Sequence, residues 1–168
     1  METSEPRSPD ATATVAVRVA VPPEVAFEVF TREIDQWWRR GPKYRHAGGA
    51  QASIHIEPAV GGRVFEAWRS GGEEREFELG RVIRWEPPGL LAFTWRNATF
   101  SPVESTEVVV TFAAAGAGTL VTVRHHGWEA LRDDHPVRHG QNDAEFARSL
   151  GMWWGDQLSS LRERLAAP

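Results

Sequence analysis

Cysteine is absent from the sequence, which excludes disulfide bonds and thiolate chemistry. Long apolar runs are absent as well. No stretch approaches the roughly 20 residues that a membrane-spanning helix needs, so we expect no membrane partner. The first residues, METSEPRSPDATAT, have neither the basic start nor the apolar segment of a signal peptide. Together these absences predict a cytoplasmic protein.

Charge of one sign is not concentrated anywhere in the chain. The formal net charge is −4, and arginine and glutamate are spread along the sequence instead of forming a basic stripe, so we expect no nucleic acid partner. With 168 residues, 41% of them hydrophobic, the chain fits one domain that could bury about 70% of its unfolded surface. We predict a disordered polar tail over residues 1–11 and a single domain over residues 12–168.

Hydrophobic periodicity predicts a strand, two short helices and then a series of strands. The stretch TVAVRVAV alternates like a half-buried strand. In the helix that follows, Pro23 suits the first turn, and Phe27 and Phe30 share one face. A second short helix is predicted over residues 33–38, followed by a Gly-rich basic loop over residues 39–49. Six strand-like segments come next, separated by glycine and proline turns: QASIHIE, GRVFEAW, REFELGRVIRW, LLAFTWR, STEVVVTF and TLVTVRHH.

The short connections between these strands indicate an antiparallel meander, and one face of such a sheet must be covered. Residues 129–141 are polar and are predicted to form a loop. A long final helix is predicted from Asn142 or Asp143, as N-cap, to Leu165. At about 1.5 Å per residue it would span about 35 Å, enough to cross the sheet. The fold class is therefore α+β.

The final helix carries two glycines beside two tryptophans, in SLGMWWGDQL. On a helical wheel, Trp154 lies at the centre of an apolar stripe, Gly151 and Gly155 lie on one flank, and Trp153 lies on the other. A glycine costs a helix about 1 kcal/mol relative to alanine. Either a neighbouring backbone packs closely against the glycines, or they open a groove that belongs to a cavity.

Large side chains on the strands alternate so that they point to one side of the sheet. On the last three strands this inward face comprises Leu91, Phe93, Trp95, Val108, Val110, Phe112, Val121, Val123 and His125. Phe65 is expected to join them from the strand GRVFEAW. The segment REFELGRVIRW would contribute Phe77, Leu79, Ile83 and Trp85, but its alternation breaks at Gly80, where we predict a β-bulge.

His125 ends an otherwise apolar inward face, whereas His126 is expected to point to solvent. A neutral imidazole at this place could bind a ligand oxygen or act as a general acid or base, and it could equally be a core histidine bonded to backbone. The pair His135 and His139 has the spacing of two helical metal ligands, but Pro136 disfavours helical geometry there and no third ligand is placed near them. We therefore expect no metal, no cofactor and no catalytic residue.

The basic segment RRGPKYRH has two interpretations. It could meet an anionic ligand at the mouth of a cavity, or it could be a solvated loop.

The order of the elements resembles the helix-grip fold of the START/Bet v 1-like (SRPBCC) superfamily, and within it the branch similar to the activator of Hsp90 ATPase. The resemblance covers residues 15–165 and is carried by VPPEVAFEVF, IDQWW, GRVIRWEPPGLLAFTW, TEVVVTFAAAGAGTLVTVRHHGW and the final tryptophan-containing helix. It implies a curved antiparallel sheet of about six or seven strands that wraps around the C-terminal helix, with two short helices after strand 1, and that encloses an apolar cavity. This favours the groove interpretation of the two glycines.

The resemblance implies three classes of function. The first is binding of a small hydrophobic or aromatic ligand between sheet and helix, for transport, sequestration or sensing. The second is a polyketide cyclase or aromatase in which His125, with Glu66 or Arg81, moves protons. The third is an Hsp90 co-chaperone-like interaction module, and homodimerisation stays open. For the first class, the expected ligand-binding residues are Trp38, Phe65, Phe77, Phe93, Trp95, Phe112, His125, Trp128, Gly151, Trp154 and Leu158.

Overall fold

A computed structural model describes residues 11–47 and 52–166 of the chain. Its elements are β1 (Ala13–Val19), α1 (Pro23–Arg32), α2 (Ile34–Trp37), β2 (Ser53–Ile56), β3 (Arg63–Ser70), β4 (Glu73–Glu86), β5 (Leu90–Trp95), β6 (Thr106–Ala115), β7 (Gly118–His126) and α3 (Asp143–Arg164). Most of the predicted tail lies outside the described residues. Its last residue, Ala11, is described and is buried in the core.

The seven strands form one curled antiparallel sheet in the order β1-β7-β6-β5-β4-β3-β2. Strands β2 to β7 follow one another as the predicted meander, and β1 pairs with β7 at the far edge. The two short helices stand between β1 and β2, and α3 closes the chain. This arrangement confirms the α+β helix-grip prediction.

Helix α3 covers the inner face of the sheet. It begins as predicted, because the side chain of Asn142 accepts a hydrogen bond from the backbone N–H of Glu145 at 2.9 Å. Trp154, Leu158 and Leu161 are buried against the sheet, which confirms the apolar stripe read from the helical wheel. The stripe therefore positions the helix over the sheet.

A β-bulge at Gly80 redirects the side chains of β4. Val64 of β3 pairs with Gly80, whereas Phe65 pairs with Glu78, so one residue of β4 is extra. A side chain at Gly80 would collide with the carbonyl oxygen of Thr94, which is why glycine is needed there. The predicted bulge is confirmed.

The predicted inward position of Ile83 is wrong. Beyond the bulge Val82 is buried and Ile83 is 39% exposed. The pairing of β4 with β5 shifts register a second time between Val82 and Arg84. This shift turns the side chain of Trp85 back toward the core.

The predicted inward position of Phe65 is also wrong. Val64 and Glu66 of β3 are buried, so the residue between them points to the opposite face of the sheet. There the Phe65 ring lies 5.1 Å from that of His55, and the Arg63 guanidinium lies 4.1 Å above it. These two neighbours cover the ring, and a buried carboxylate occupies the inner face in its place.

The segment between β7 and α3 is not the solvated loop that its polar composition suggests. It contains two single-turn 3₁₀ helices, Trp128–Ala130 and Pro136–Arg138. Leu131, Val137 and two polar residues of the segment, His135 and Arg138, are buried. With Ala11, Phe100, Trp128 and Phe146, the apolar members form a second core cluster beside the main one.

Candidate ligand-binding cavity

A cavity of about 420 Å³ lies beside the N-terminal half of α3. Its wall combines the loop over residues 42–46, strand β4, the end of β5 with residues 97–99, the segment between β7 and α3, and α3 itself. Six aromatic side chains contribute to this wall: Tyr44, Phe77, Trp95, Trp128, Phe146 and Trp153. The polar residues of the wall are Lys43, Arg45, His46, Asn97, Thr99, His139, Gln141 and Ser149.

Helix α3 faces the cavity with the flank opposite its two glycines. The cavity residues of α3 are Phe146, Ser149, Leu150 and Trp153. On the other flank, a Cβ added at Gly151 would approach Val15 of β1 no closer than 4.0 Å. A Cβ added at Gly155 would meet nothing within 4 Å. The glycines therefore neither line this cavity nor admit a closely packed backbone.

Three of the predicted ligand-binding residues belong to the cavity wall: Phe77, Trp95 and Trp128. Five others are buried in the main core instead: Trp38, Phe93, Phe112, Trp154 and Leu158. Their rings pack against other rings, as in the pairs Trp38–Trp154 at 5.7 Å and Phe30–Phe112 at 5.5 Å. Because these side chains fill the interior under the rest of α3, the cavity lies at the N-terminal end of the helix.

His125 is enclosed in the core, and both of its ring nitrogens have partners. The Trp154 indole N–H donates to Nδ1 at 3.1 Å, so Nδ1 carries no proton. The Thr106 hydroxyl donates its proton to the carbonyl oxygen of Trp95 at 3.1 Å. Nε2 of His125, 2.8 Å from the Thr106 oxygen, must then be the donor in that bond. The hydrogen bonds thus select the neutral Nε2–H tautomer.

Burial lowers the pKa of His125 from its ordinary value of 6.5 to about 3, with a smaller contribution from the neighbouring His126. The imidazole therefore stays neutral at physiological pH. Its ring lies 5.3 Å from that of Trp95 and 4.7 Å from that of Trp128, directly behind two rings of the cavity wall. His125 is a core residue that supports the wall.

The basic segment after α2 is anchored by a buried arginine. Arg45 donates to Asp35 Oδ1 at 2.6 Å and to the carbonyl oxygens of Trp38 at 2.7 Å and of Ala52 at 3.1 Å. Burial alone would raise the pKa of Asp35, but hydrogen bonds from Arg45 and from the Ile54 N–H hold this pKa below its ordinary value. This loop is therefore part of the packed structure.

The same loop is joined to α3 at the edge of the cavity. The Tyr44 hydroxyl donates to Asp156 Oδ2 at 2.9 Å, and the Trp153 indole N–H donates to the carbonyl oxygen of Lys43 at 2.9 Å. Arg39 Nε donates to the carbonyl oxygen of Asp156 at 2.7 Å. These three bonds hold the loop and the helix together as one side of the cavity.

The groups considered for proton transfer do not meet. Glu66 is buried and accepts a hydrogen bond from the His46 N–H at 2.7 Å, and burial raises the pKa of Glu66. Arg81 is exposed and paired with Glu78 at 2.7 Å. Neither residue belongs to the cavity wall, and His125 does not either. The three residues that this hypothesis names are therefore not brought together on the wall.

Residues 20–160 match the family model described as Activator of Hsp90 ATPase homolog 1-like protein. The chain belongs to this family. The resemblance inferred from the order of elements is thereby confirmed. Among curated proteins, no sequence matches this family member.

Solved structures share the fold of this chain. Protein MLL2253 from Mesorhizobium loti is 20% identical, with a TM-score of 0.61 over 90% of this chain and 94% of that one. The Aha1 dimer from Colwellia psychrerythraea is 15% identical, with a TM-score of 0.60 over 92% and 95%. DynU16, a protein of the dynemicin biosynthetic locus, is 22% identical, with a TM-score of 0.61 over 94% of this chain and 48% of that one.

Several residues of the cavity wall were missed from the sequence. Trp153 lies on the flank that the helical wheel predicts for it, and Phe146 shares that flank, so the wheel carries the signal for both. Tyr44 and His46 lie in the basic segment RRGPKYRH, for which the sequence predicts a role for the charges and not for the rings. No periodic pattern marks residues 97–99 or His139, because they lie in irregular segments.

The described part of this family member contains no cluster of three or more histidine or acidic side chains arranged to hold a metal ion. His135 is buried, accepts from the Val137 N–H through Nδ1, and lies 3.2 Å from Glu104 through Nε2. His139 belongs to the cavity wall instead. No described helix has both the length and the apolar character needed to cross a membrane.

Proposed function

We propose that this protein binds a small, largely aromatic molecule in the cavity beside the N-terminal half of α3. The observation that carries the proposal is a volume of about 420 Å³ with six aromatic side chains in its wall. Binding sites for small molecules typically have volumes of roughly 300–1,000 Å³, mostly apolar walls and a few polar groups. The cavity has all three properties.

The wall is largely held in place before any ligand arrives. The Trp153 indole is fixed by its bond to the carbonyl oxygen of Lys43, and Trp95 and Trp128 are backed by His125. The His46 ring stacks on Phe77 with 4.1 Å between centroids and 6° between planes. A wall of fixed rings lowers the entropy cost of binding, and it favours a flat ligand that can lie against the rings.

Titration with the uncharged fluorophore N-phenyl-1-naphthylamine tests the proposal. The decisive variant is Ser149→Trp, because Ser149 is an exposed residue of the cavity wall and a large ring there occupies ligand space. Met152→Trp is the matched control, since Met152 is on the same helix, 70% exposed, and outside the wall. We expect saturable one-site binding to the wild type and to the control, and a loss of about tenfold or more, equivalent to about 1.4 kcal/mol, for Ser149→Trp.

Two results would contradict the proposal. One is the absence of saturable binding to the folded wild type. The other is equal affinity for Ser149→Trp and Met152→Trp, which would place the fluorophore outside this cavity. Thermal melts of both variants show whether each remains folded at the titration temperature.

The other function classes stay predictions without a described site that favours them. The three residues named in the cyclase hypothesis, His125, Glu66 and Arg81, are not on the wall. For a chaperone partner, the exposed large apolar residues of the described chain are scattered over three elements and two connecting segments: Val25, Val60, Ile83, Val103 and Met152. The Colwellia relative is described as a dimer, and sedimentation velocity would test whether this chain also dimerises.

A further inference from the structure

We propose that the aromatic molecule bound in the cavity carries a carboxylate at its solvent-facing end, and that this carboxylate pairs with the ammonium group of Lys43. This inference rests on the proposed function, because it specifies the chemistry of the ligand of the same cavity. Its starting point is the charge of the cavity wall, which differs from that of the chain as a whole.

The described residues of the wall include no aspartate and no glutamate. The chain as a whole has 23 acidic residues against 19 lysines and arginines, so the wall departs from the overall composition. Its basic residues are Lys43, Arg45, His46 and His139. A cavity lined by one sign of charge attracts ligands of the opposite sign and disfavours ligands of the same sign. The wall therefore favours an anionic group over a cationic one.

The polar side chains of the wall are concentrated at the mouth of the cavity. A wall residue that is also exposed lies where the cavity meets solvent, and five polar wall residues are exposed: Lys43, His46, Thr99, His139 and Ser149. The six aromatic residues of the wall are buried or half-buried. The molecule that fits this arrangement has an aromatic body inside the cavity and a polar group at the mouth.

Of the two long cationic side chains of the wall, Lys43 is the one with donors to spare. The Arg45 guanidinium is buried and committed to Asp35 and to backbone carbonyl oxygens. The Lys43 side chain is 64% exposed, and its ammonium makes one hydrogen bond to a described residue, at 3.4 Å to Asp156 Oδ2. Because an ammonium group has three N–H donors, two of them remain for a ligand.

Asp156 does not cancel the charge that Lys43 brings to the mouth. This carboxylate also accepts from the Tyr44 hydroxyl at 2.9 Å, a closer contact than the one to Lys43. The Lys43 and Asp156 side chains are exposed enough for water to screen their attraction. Lys43 also has a flexible four-carbon stem, so its ammonium can reach a second carboxylate at the mouth.

His46 and His139 add further donors to the same mouth. Each imidazole carries at least one ring N–H in either protonation state. The ring nitrogens of these two histidines form no hydrogen bond with another described residue. The His46 ring is held in place by its stacking on Phe77. A carboxylate, which accepts through two oxygens, matches such a set of donors.

A carboxylate fits this mouth better than a phosphate does. One ammonium group balances one negative charge, whereas a phosphate group carries roughly two and is typically bound by arginine. At the mouth the charged group keeps part of its hydration, so binding avoids the cost of moving a charge into the aromatic interior. An aromatic carboxylate therefore satisfies both parts of the cavity.

Two probes of matched shape and different charge test the pairing. 2-Naphthoate carries a carboxylate, 2-naphthamide is neutral, and both can be measured by displacement of N-phenyl-1-naphthylamine. Lys43→Met removes the ammonium but keeps a long side chain and the backbone carbonyl that accepts from Trp153. We expect the ratio of the two dissociation constants, amide over carboxylate, to fall by about fivefold in Lys43→Met, the upper range for an exposed ion pair.

Arg148→Met is the matched control. It removes the same charge from an exposed position next to Ser149, but Arg148 is outside the wall. Its ratio should stay within about twofold of the wild-type value, because salt and water screen a charge that does not contact the ligand. If the fluorophore binds but the ratio is unchanged in Lys43→Met, or falls equally in both variants, the inference is overturned while the proposed function stands.

Salt provides a second measurement, which needs no variant to fold. Raising the ionic strength from about 0.01 M to about 1 M shortens the Debye length from about 30 Å to about 3 Å. The same ratio should then fall by about threefold in the wild type, because the pair at the mouth is partly exposed. A ratio that does not vary with salt would contradict the pairing. If the wild type binds neither the fluorophore nor the probes, the proposed function fails and this inference fails with it.

Discussion

The indole N–H of Trp154 donates a hydrogen bond to Nδ1 of His125, with 3.1 Å between the two nitrogens. This bond joins the centre of α3 to the end of β7 inside the core. It also fixes the histidine tautomer, because the opposite nitrogen must then donate to Thr106. The histidine that the sequence presents as a candidate ligand or proton-transfer group is therefore committed to holding helix and sheet together.

Replacement of His125 by alanine should destabilise the fold and spare the cavity. His125→Ala removes a buried ring and leaves the Trp154 N–H without its acceptor, so we expect a loss of about 3 kcal/mol in the free energy of unfolding. Chemical denaturation measures the loss. Affinity for N-phenyl-1-naphthylamine should change by less than about threefold in the protein that remains folded, since this difference is under about 1 kcal/mol.

The adjacent histidine supplies the control for that experiment. His126 lies on the opposite face of β7 with its side chain 23% exposed, so His126→Ala should change stability by less than about 0.5 kcal/mol. A His125→Ala protein as stable as the wild type but unable to bind the fluorophore would show that His125 contacts the ligand.

The neutral state of His125 should be visible by NMR. Because the pKa of His125 is lowered to about 3, its ¹⁵N signals should keep the pattern of the Nε2–H tautomer from pH 8 to pH 5. Protonation of this ring within that range, or the opposite tautomer, would contradict the hydrogen-bond assignment.

Because the pKa of His125 is lowered in the folded protein, this residue should make the protein less stable as the pH falls. Between pH 6.5 and about pH 3 the unfolded chain binds a proton at His125 that the folded protein does not bind. The contribution of His125 to stability is complete above pH 6.5 and declines as the pH falls, by at most about 1.4 kcal/mol per pH unit. Unfolding free energies measured at pH 7, 6 and 5 would test this slope.

Glu66 changes the pH dependence of stability in the opposite direction to His125. Burial raises the pKa of Glu66, so the folded state retains a proton at a pH at which the unfolded state has released it. Subtracting the pH profile of His125→Gln from that of the wild type isolates the histidine contribution. A difference that does not vary between pH 7 and pH 5 would rule out the lowered pKa.

The two glycines of α3 should tolerate alanine and gain stability from it. A Cβ at Gly155 meets nothing within 4 Å, so Gly155→Ala should raise the free energy of unfolding by about 0.5–1 kcal/mol through helix propensity. The fluorophore affinity should not change, because the cavity lies on the other flank of the helix. Gly80→Ala is the contrasting variant and should be strongly destabilised by its collision with the Thr94 carbonyl. A loss of binding in Gly155→Ala would revive the groove interpretation.

Arg45 should prove more important for stability than the other basic residues of its loop. Arg45→Lys cannot reproduce the planar set of donors that reaches Asp35, Trp38 and Ala52, so we expect a loss of about 3 kcal/mol. Arg40 contacts the same carboxylate at 3.4 Å from an exposed position, and Arg40→Lys should cost less than about 0.5 kcal/mol. Equal melting temperatures for the two variants would contradict the anchoring role of Arg45.

Much of the fold was predictable because the relevant signals are local. Alternation of valines set β1, Asn142 marked the start of α3, and the apolar stripe around Trp154 identified the helix face that packs on the sheet. The bulge at Gly80 was predictable because the alternation of inward-facing apolar residues along β4 breaks at that point. Each of these features depends on neighbours in the chain, and a period of 2 or 3.6 residues expresses them directly.

The site depended on contacts between distant segments. Periodicity shows that a side chain points inward, but not whether other side chains fill the space that it faces. Phe93 and Phe112 point inward into a packed core, whereas Trp95, only two residues from Phe93, faces the cavity. The sequence by itself determined the elements and their inward faces. Only the tertiary structure decided where packing leaves space and which polar atoms, such as the Trp128 N–H, find no partner among the described residues, because both depend on segments that are far apart in the chain.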